Sequence, residues 1–262
     1  MKLAIVGAGK MGGAILTGAL RAGVLTTSEV GVYHPDEARR ATLAERYGVT
    51  PLDDDGVHTA ERILIGVKPQ AFERVAPLIA RRSGCFISIM AGVPADAIAR
   101  RVGSRRVLRA MPNLGARVRL SATALAALPD VSEEDDAFAT ALFEAVGSVH
   151  RIPESQFDAF TGLAGSGPAF AAVIAEALAD GGVRAGFSRD TARDLAREVL
   201  HATAVLLSEN GPADLKDEVA SAGGTAIAGV RALEEHGARY AVLRAVEEAA
   251  LRARALSRED EA

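Results

Sequence analysis

Two glycine clusters stand near opposite ends of the 262-residue chain, and each has the makings of an anion cradle. The first reads VGAGKMGGA over 6–14. It sets Gly7-x-Gly9-x-x-Gly12 directly after the apolar run LAIV (3–6) and before Ala14, Ile15, Ala19 and Leu20 at helical spacing. In that context Gly7 permits a tight turn, Gly9 lets backbone approach a pyrophosphate, and Gly12 lets helix and strand pack closely. The helix N-terminus that follows offers unpaired N–H groups and the positive end of a dipole. The second cluster reads VASAGGTAIAG over 219–229. A Gly223-Gly224 pair opening a helix can turn backbone amides toward a carboxylate, and Ser221 and Thr225 add a hydroxyl on either side.

The dinucleotide can be narrowed from the end of the next strand. An NAD site usually carries Asp or Glu there, to hold the ribose 2′-OH. EVGVY (29–33) instead runs into His34-Pro35, Asp36 comes late, and Arg39 and Arg40 follow. This points to a 2′-phosphate, with His34 and Arg39 among its neighbours, and to NADPH as cofactor, NADH being the other candidate. GVKPQ (66–70) lies at the carboxyl end of another strand, where ligands of open α/β sheets bind.

The elements that must position these loops follow from periodicity. LAIV, EVGVY, RILIGV (62–67), CFISIM (85–90), VLRAM (107–111) and SATALAAL (121–128) read as strands. ARRATLAERYG (38–48), QAFERVAPLIARR (70–82) and SEEDDAFATALFEAVG (132–147) read as helices, the last with a Ser N-cap and an acidic first turn. Strand and helix in alternation predict βαβ units and a parallel sheet. From Pro153 onward every segment is helical in period. The expected fold is α/β: a Rossmann-type doubly wound parallel sheet over 1–152, then an all-α domain over 153–262. The broad apolar stripes of TAIAGVRAL and YAVLRAVEEAALRARAL are more than one small helical domain covers, which predicts a homodimer or a higher oligomer of dimers.

Composition excludes several classes. A net charge of −4 with scattered signs gives no basic face for nucleic acid. Cys85 is the only cysteine and sits in an apolar run, so it is expected to be a buried small hydrophobe. The N-terminal apolar stretch is too short for a signal peptide, and no run of uninterrupted apolar residues approaches a membrane span. A cytoplasmic protein is expected, without nucleic-acid or membrane partners and without a metal site.

RAMPN (109–113), AGSGPAF (164–170) and LKDEVASAGGTAIAGVRALEEHG (215–237), with the glycine loop and GVKPQ, give the chain its family likeness. Together they resemble pyrroline-5-carboxylate reductase, in family order and over nearly the whole chain. The resemblance implies reduction of the C=N bond of 1-pyrroline-5-carboxylate to proline by hydride transfer from NAD(P)H. It implies that Gly7, Gly9, Lys10, Met11 and Gly12 form the pyrophosphate loop. Val67, Lys68 and Pro69 would lie along the cofactor, and Met111, Pro112 and Asn113 near the nicotinamide. Ser221, Gly223, Gly224 and Thr225 would bind the imino acid in a dimer of intertwined helical domains.

The chain departs from the family pattern at several of these places. Lys10 stands where many members have Asn, Leu114-Gly115 where Thr-Pro is usual, Ala164 where Ser is common, and Ala222 where the turn has Pro. Ala226 replaces the threonine whose hydroxyl, in the family, faces the ring nitrogen, which leaves Thr225 as the candidate catalytic hydroxyl. On the sequence alone two other readings stay open: a paralogue reducing another imino acid, and a catalytically weak NADP-binding regulatory homologue. A β-hydroxyacid dehydrogenase is disfavoured, because GPAFAAVIAEALADGG carries no lysine to serve as general base.

Overall fold

A computed structural model describes residues 1–80 and 84–259. The chain separates into two compact units: Met1–Gly165, joined by the C-terminal segment that begins at Ala249, and Ser166–Glu248.

The first unit is built on one sheet. Its strands are β1 (Leu3–Val6), β2 (Val30–Tyr33), β3 (Thr50–Leu52), β4 (Arg62–Ile65), β5 (Cys85–Ser88), β6 (Val107–Pro112), β7 (Ser121–Ala127) and β8 (Gly147–Arg151). They lie in the order β3-β2-β1-β4-β5-β6-β7-β8. Pairing is parallel from β3 to β6 and again between β7 and β8, but β6 and β7 are antiparallel. The doubly wound parallel sheet expected from the sequence is present, with this one antiparallel pair within it. Only the turn Leu114–Val118 and its flanks join the two strands, and so short a link cannot make a parallel crossover.

The central strands are apolar on both faces because both faces are covered. Leu3 and Ile5 pack into one core cluster, Ala4 and Val6 into the other. Helices α1 (Lys10–Arg21), α2 (Glu37–Tyr47), α3 (Asp54–Val57), α4 (Pro69–Ile79), α5 (Ala95–Val102), α6 (Glu133–Glu144) and α7 (Phe157–Phe160) fill the crossovers and the end of this unit. α2 closes on Gly48 at φ +66, and α6 opens on Ser132, whose hydroxyl accepts from the Asp135 amide. Arg81 and Arg82 of the expected fourth helix lie outside the described residues. β3, β8 and α5 were not legible in the pattern. β3 is a three-residue edge strand containing Pro51, and β8, GSVHR, is half exposed and carries no apolar alternation.

Cys85 is fully buried, and that burial pushes its thiol up to about 12. At the opposite end of the sheet from the glycine loop, Asp135 accepts from Arg62 Nε at 2.8 Å and Arg106 Nη2 at 2.5 Å.

The second unit is helical: α8 (Gly167–Arg184), α9 (Arg189–Leu206), α10 (Pro212–Val219), α11 (Thr225–Glu235) and α12 (Ala238–Glu259), whose end belongs to the first unit. Its buried core cluster is three alanines, Ala179, Ala192 and Ala196. Val173, Val199, Leu233, Tyr240 and Leu243 are all more than half exposed. The helical stretch Glu154–Arg184 is, by length and composition alone, apolar enough to cross a membrane. This corrects the expectation that no segment would be. The stretch reaches that hydropathy through Phe, Leu, Val, Ile and many alanines, spaced by glycines and polar residues, which no count of uninterrupted apolar residues detects.

Candidate functional site

The glycine loop stands where the sheet requires it, at the carboxyl end of β1. Gly7 adopts φ +100, and a Cβ there would run into the Gly66–Val67 backbone. Gly12 lies on α1 against the same turn, and a Cβ on it would come 2.7 Å from the Gly7 carbonyl oxygen. Gly9 is different. Its φ is −71 and a Cβ there would meet nothing within 4 Å. Its amide donates to Gly7 O at 2.8 Å, and the Gly13 amide donates to Gly9 O. The amides of Lys10, Met11 and Gly12 precede that bond and have no partner inside α1. Met11 packs against the core below, and Lys10 is exposed.

A cleft of about 690 Å³ opens beside this loop, at the carboxyl ends of β1, β2 and β4. Its polar rim is His34, Arg39, Thr42, Lys68 and Arg74, with no carboxylate among the lining residues. Asp36, the nearest acid in the chain to the end of β2, is not among them. It is the N-cap of α2, where it accepts from the Arg39 amide at 2.9 Å, and that bond holds its carboxyl below the usual range. Arg40 reaches back to the His34 carbonyl and does not line the cleft. Tyr33 donates to Asp54 at 2.9 Å; burial first, and that bond second, push the phenol above its ordinary range. Val67 and Lys68 line the opposite wall. Lys68 is the N-cap of α4 and Pro69 its first residue, a position where proline's missing N–H costs nothing. Arg74, one turn further along α4, and Gly66, which receives Gly7, were not singled out in the sequence. Arg74 could have been found from its place on the helix that Pro69 opens.

The 111–113 segment is structurally committed. Met111 and Pro112 are buried at the end of β6, Met111 in a cluster with Ala124 and Phe157. Asn113 caps the Leu114–Val118 turn: its Oδ1 accepts from the Gly115 amide at 2.9 Å and its Nδ2 donates to the Ala164 carbonyl at 2.9 Å. Two departures from the family pattern are thereby explained. A Cβ on Gly115 would lie 2.3 Å from the Leu120 carbonyl oxygen, so this turn requires glycine. At Ala164 the bond uses the main chain, which no side-chain change there removes.

In the second unit, Ser221–Gly224 form a turn closed by Gly224 N–H to Ser221 O at 3.0 Å, with Gly223 at φ +70. A Cβ on Gly224 would come 2.4 Å from Ser221 Oγ. Gly224 is the N-cap of α11, whose first backward bond runs from the Ala228 amide to Gly224 O. The Gly224 amide is therefore spent on the turn. The donors left without a partner in the helix are those of Thr225, Ala226 and Ile227. Ser221, Gly223 and Thr225 are exposed, and Ala226 is half-buried.

Comparison with known proteins places this geometry in context. Residues 154–256 match the family model described as pyrroline-5-carboxylate reductase dimerisation, and residues 2–92 match that described as NADP oxidoreductase, coenzyme F420-dependent. The chain is 51% identical to a pyrroline-5-carboxylate reductase of Thermus thermophilus, over 96% of this chain and 97% of that one. It is 34% identical to that of Escherichia coli, with 94% of each chain covered. A Streptococcus pyogenes 1-pyrroline-5-carboxylate reductase structure superposes with a TM-score of 0.87 at 33% identity, covering 97% of this chain and 98% of that one. A Plasmodium falciparum pyrroline carboxylate reductase with NADP bound gives 0.85 at 26% identity, covering 98% of each.

Proposed function

The chain belongs to the pyrroline-5-carboxylate reductase family, and from that premise we infer that it reduces 1-pyrroline-5-carboxylate to proline as an NAD(P)H-dependent oxidoreductase. The observation that carries the cofactor half of this reading is the 690 Å³ cleft at the glycine loop, rimmed by cations and free of lining carboxylates. That donor set fits a dinucleotide carrying an extra phosphate, so NADPH is the proposed cofactor. Arg39, Arg74 and His34, which line this cleft, would hold the 2′-phosphate, and the open amides of Lys10, Met11 and Gly12 the pyrophosphate. Gly9 leaves the approach clear. When bound, the reduced nicotinamide supplies the hydride that reduces the C=N carbon.

The remaining tasks fall to the chain's own residues. A cyclic imine can arrive already protonated, so the protein needs chiefly to orient it and to hold its carboxylate. We assign the carboxylate to the open amides at the start of α11 and to Ser221, and the hydrogen bond at the ring nitrogen to Thr225. Gly223 and Gly224 shape the turn that exposes those groups. Met111, Pro112 and Asn113 serve the nicotinamide end by fixing the Leu114–Val118 turn. On this reading residues 1–152 bind cofactor, and 153–262 bind substrate and dimerise. The three-alanine core of α8 and α9 and the exposed apolar side chains of this unit support a homodimer in which a second copy covers those faces, and the cytoplasm is its proposed location.

The test is turnover by purified protein with NADPH and with NADH against a panel of cyclic imino acids, alongside light scattering for mass. NADPH oxidation fastest with pyrroline-5-carboxylate, by a dimer or multiple of dimers, is expected. Faster reduction of another ring imine, or cofactor binding without turnover, would overturn the assignment.

A further inference from the structure

A second cavity of about 670 Å³ adjoins the cofactor cleft on the other side of Gly9. Lys10 and Arg21 from α1, Arg46 from α2, and Arg117 and Arg119 from the turn after β6 all line it, with no carboxylate among the lining residues. None of the five makes an ion pair among the described residues. Arg46 instead lies over the Tyr47 ring, 5.3 Å from its centroid.

The molecule supplies its own standards for this pattern. The cofactor cleft, which must receive phosphates, is also lined by unpaired cations and no acid. The 580 Å³ cavity at Arg62 and Arg106 is lined as well by Glu61, Glu134 and Asp135, which neutralise those arginines. The five exposed cations come from three elements with no acid among the lining residues, so the groove presents only positive charge, which attracts an anion. Arg119 adds a second sign of construction. It is the one non-glycine among the described residues with a left-handed backbone, at φ +62. An arginine is kept at a place that glycine would occupy without strain. Guanidinium groups of this kind bind phosphate oxygens in bidentate fashion.

We propose that this cavity is a second anion site, which takes the triphosphate group of a small molecule beside the bound cofactor. The site borders the glycine-loop cradle at Ala8, Gly9 and Lys10, runs from there along α1 to Arg21, and does not depend on which imine is reduced.

Calorimetric titration of the full-length protein tests it, first without and then with saturating NADPH, using sodium tripolyphosphate in one arm and ATP in the other. One equivalent of tripolyphosphate is expected to bind in both conditions. The double variant Arg21→Ala/Arg46→Ala, at the far ends of α1 and α2 from the glycine loop, should weaken it about tenfold or more with NADPH affinity unchanged. Equal affinity for the two ligands would make the triphosphate the sole determinant, and tighter ATP, still sensitive to the double variant, would make a nucleotide the source. Displacement of tripolyphosphate by NADPH, binding of ATP alone, or an unchanged affinity in the double variant would each overturn the proposal. Because the variant comparison is also made without cofactor, a failure of the cofactor assignment is read separately.

Discussion

Gly7 and Gly66 meet backbone to backbone where β1 and β4 end. A Cβ on Gly7 would lie 2.6 Å from the Gly66 carbonyl carbon, and one on Gly66 would lie 2.8 Å from the Gly7 carbonyl oxygen. The two crossover turns can therefore close on each other only without side chains, and this closure sets the wall of the cofactor cleft. Gly9, two residues on, faces open space.

The contrast yields a paired prediction. Gly7→Ala should lower Tm by roughly 5 °C or more, since backbone must move and φ +100 is strained for alanine. Gly9→Ala should leave Tm within about 1 °C but weaken NADPH at least about tenfold, as its methyl enters the phosphate approach. Thermal unfolding and NADPH fluorescence titration check both. A Gly9→Ala protein with normal affinity would place the pyrophosphate elsewhere.

Arg39→Ala/Arg74→Ala should weaken NADPH about tenfold or more and leave NADH nearly unchanged, because only the former carries the extra phosphate. Steady-state KM values for both cofactors measure this. An equal loss for both would assign these arginines to the shared part of the dinucleotide.

Ala226→Thr restores a hydroxyl at a half-buried place in the first turn of α11. It should raise kcat/KM for pyrroline-5-carboxylate by about tenfold, the worth of one hydrogen bond to a charged group. The added hydroxyl would supplement that of Thr225 at the ring nitrogen, and no gain would mean that position 226 does not face it and Thr225 serves alone.

The Asp135 network predicts acid sensitivity. Burial by itself would raise this carboxyl, but hydrogen bonds from Arg106 and Ser132 and the nearby Arg62 charge hold it below the usual range. A carboxyl depressed in the folded state contributes stability that is whole above its unfolded pKa, near 4, and is lost as pH falls through the folded value. Asp135→Asn should cost about 3 kcal/mol at neutral pH and flatten the stability profile below about pH 4. Urea midpoints measured from pH 7 to pH 3 follow it. A slope as steep as the parent's would assign the acid sensitivity to other carboxylates.

Much of this was written in local pattern. LAIV, EVGVY, RILIGV and CFISIM read as buried strands because each is a short, almost wholly apolar run bounded by turn residues. The glycine spacing after LAIV, the Ser132 and Gly48 caps, and the helical period beyond Pro153 fixed element types in the same local way. The cofactor class and the family likeness also followed from short motifs in order.

What depended on distance in the chain was not legible. The antiparallel turn of β7 rests on a steric need for Gly115 beneath Leu120. The partner of Gly7 is a glycine in a different crossover. That Asp36 comes too late for the ribose was legible, but that its carboxylate caps α2 was not. Periodicity and composition report what each segment must bury. Which side chains then share a cavity, and which amides remain unpaired, is decided by backbone packing between segments that are remote in sequence.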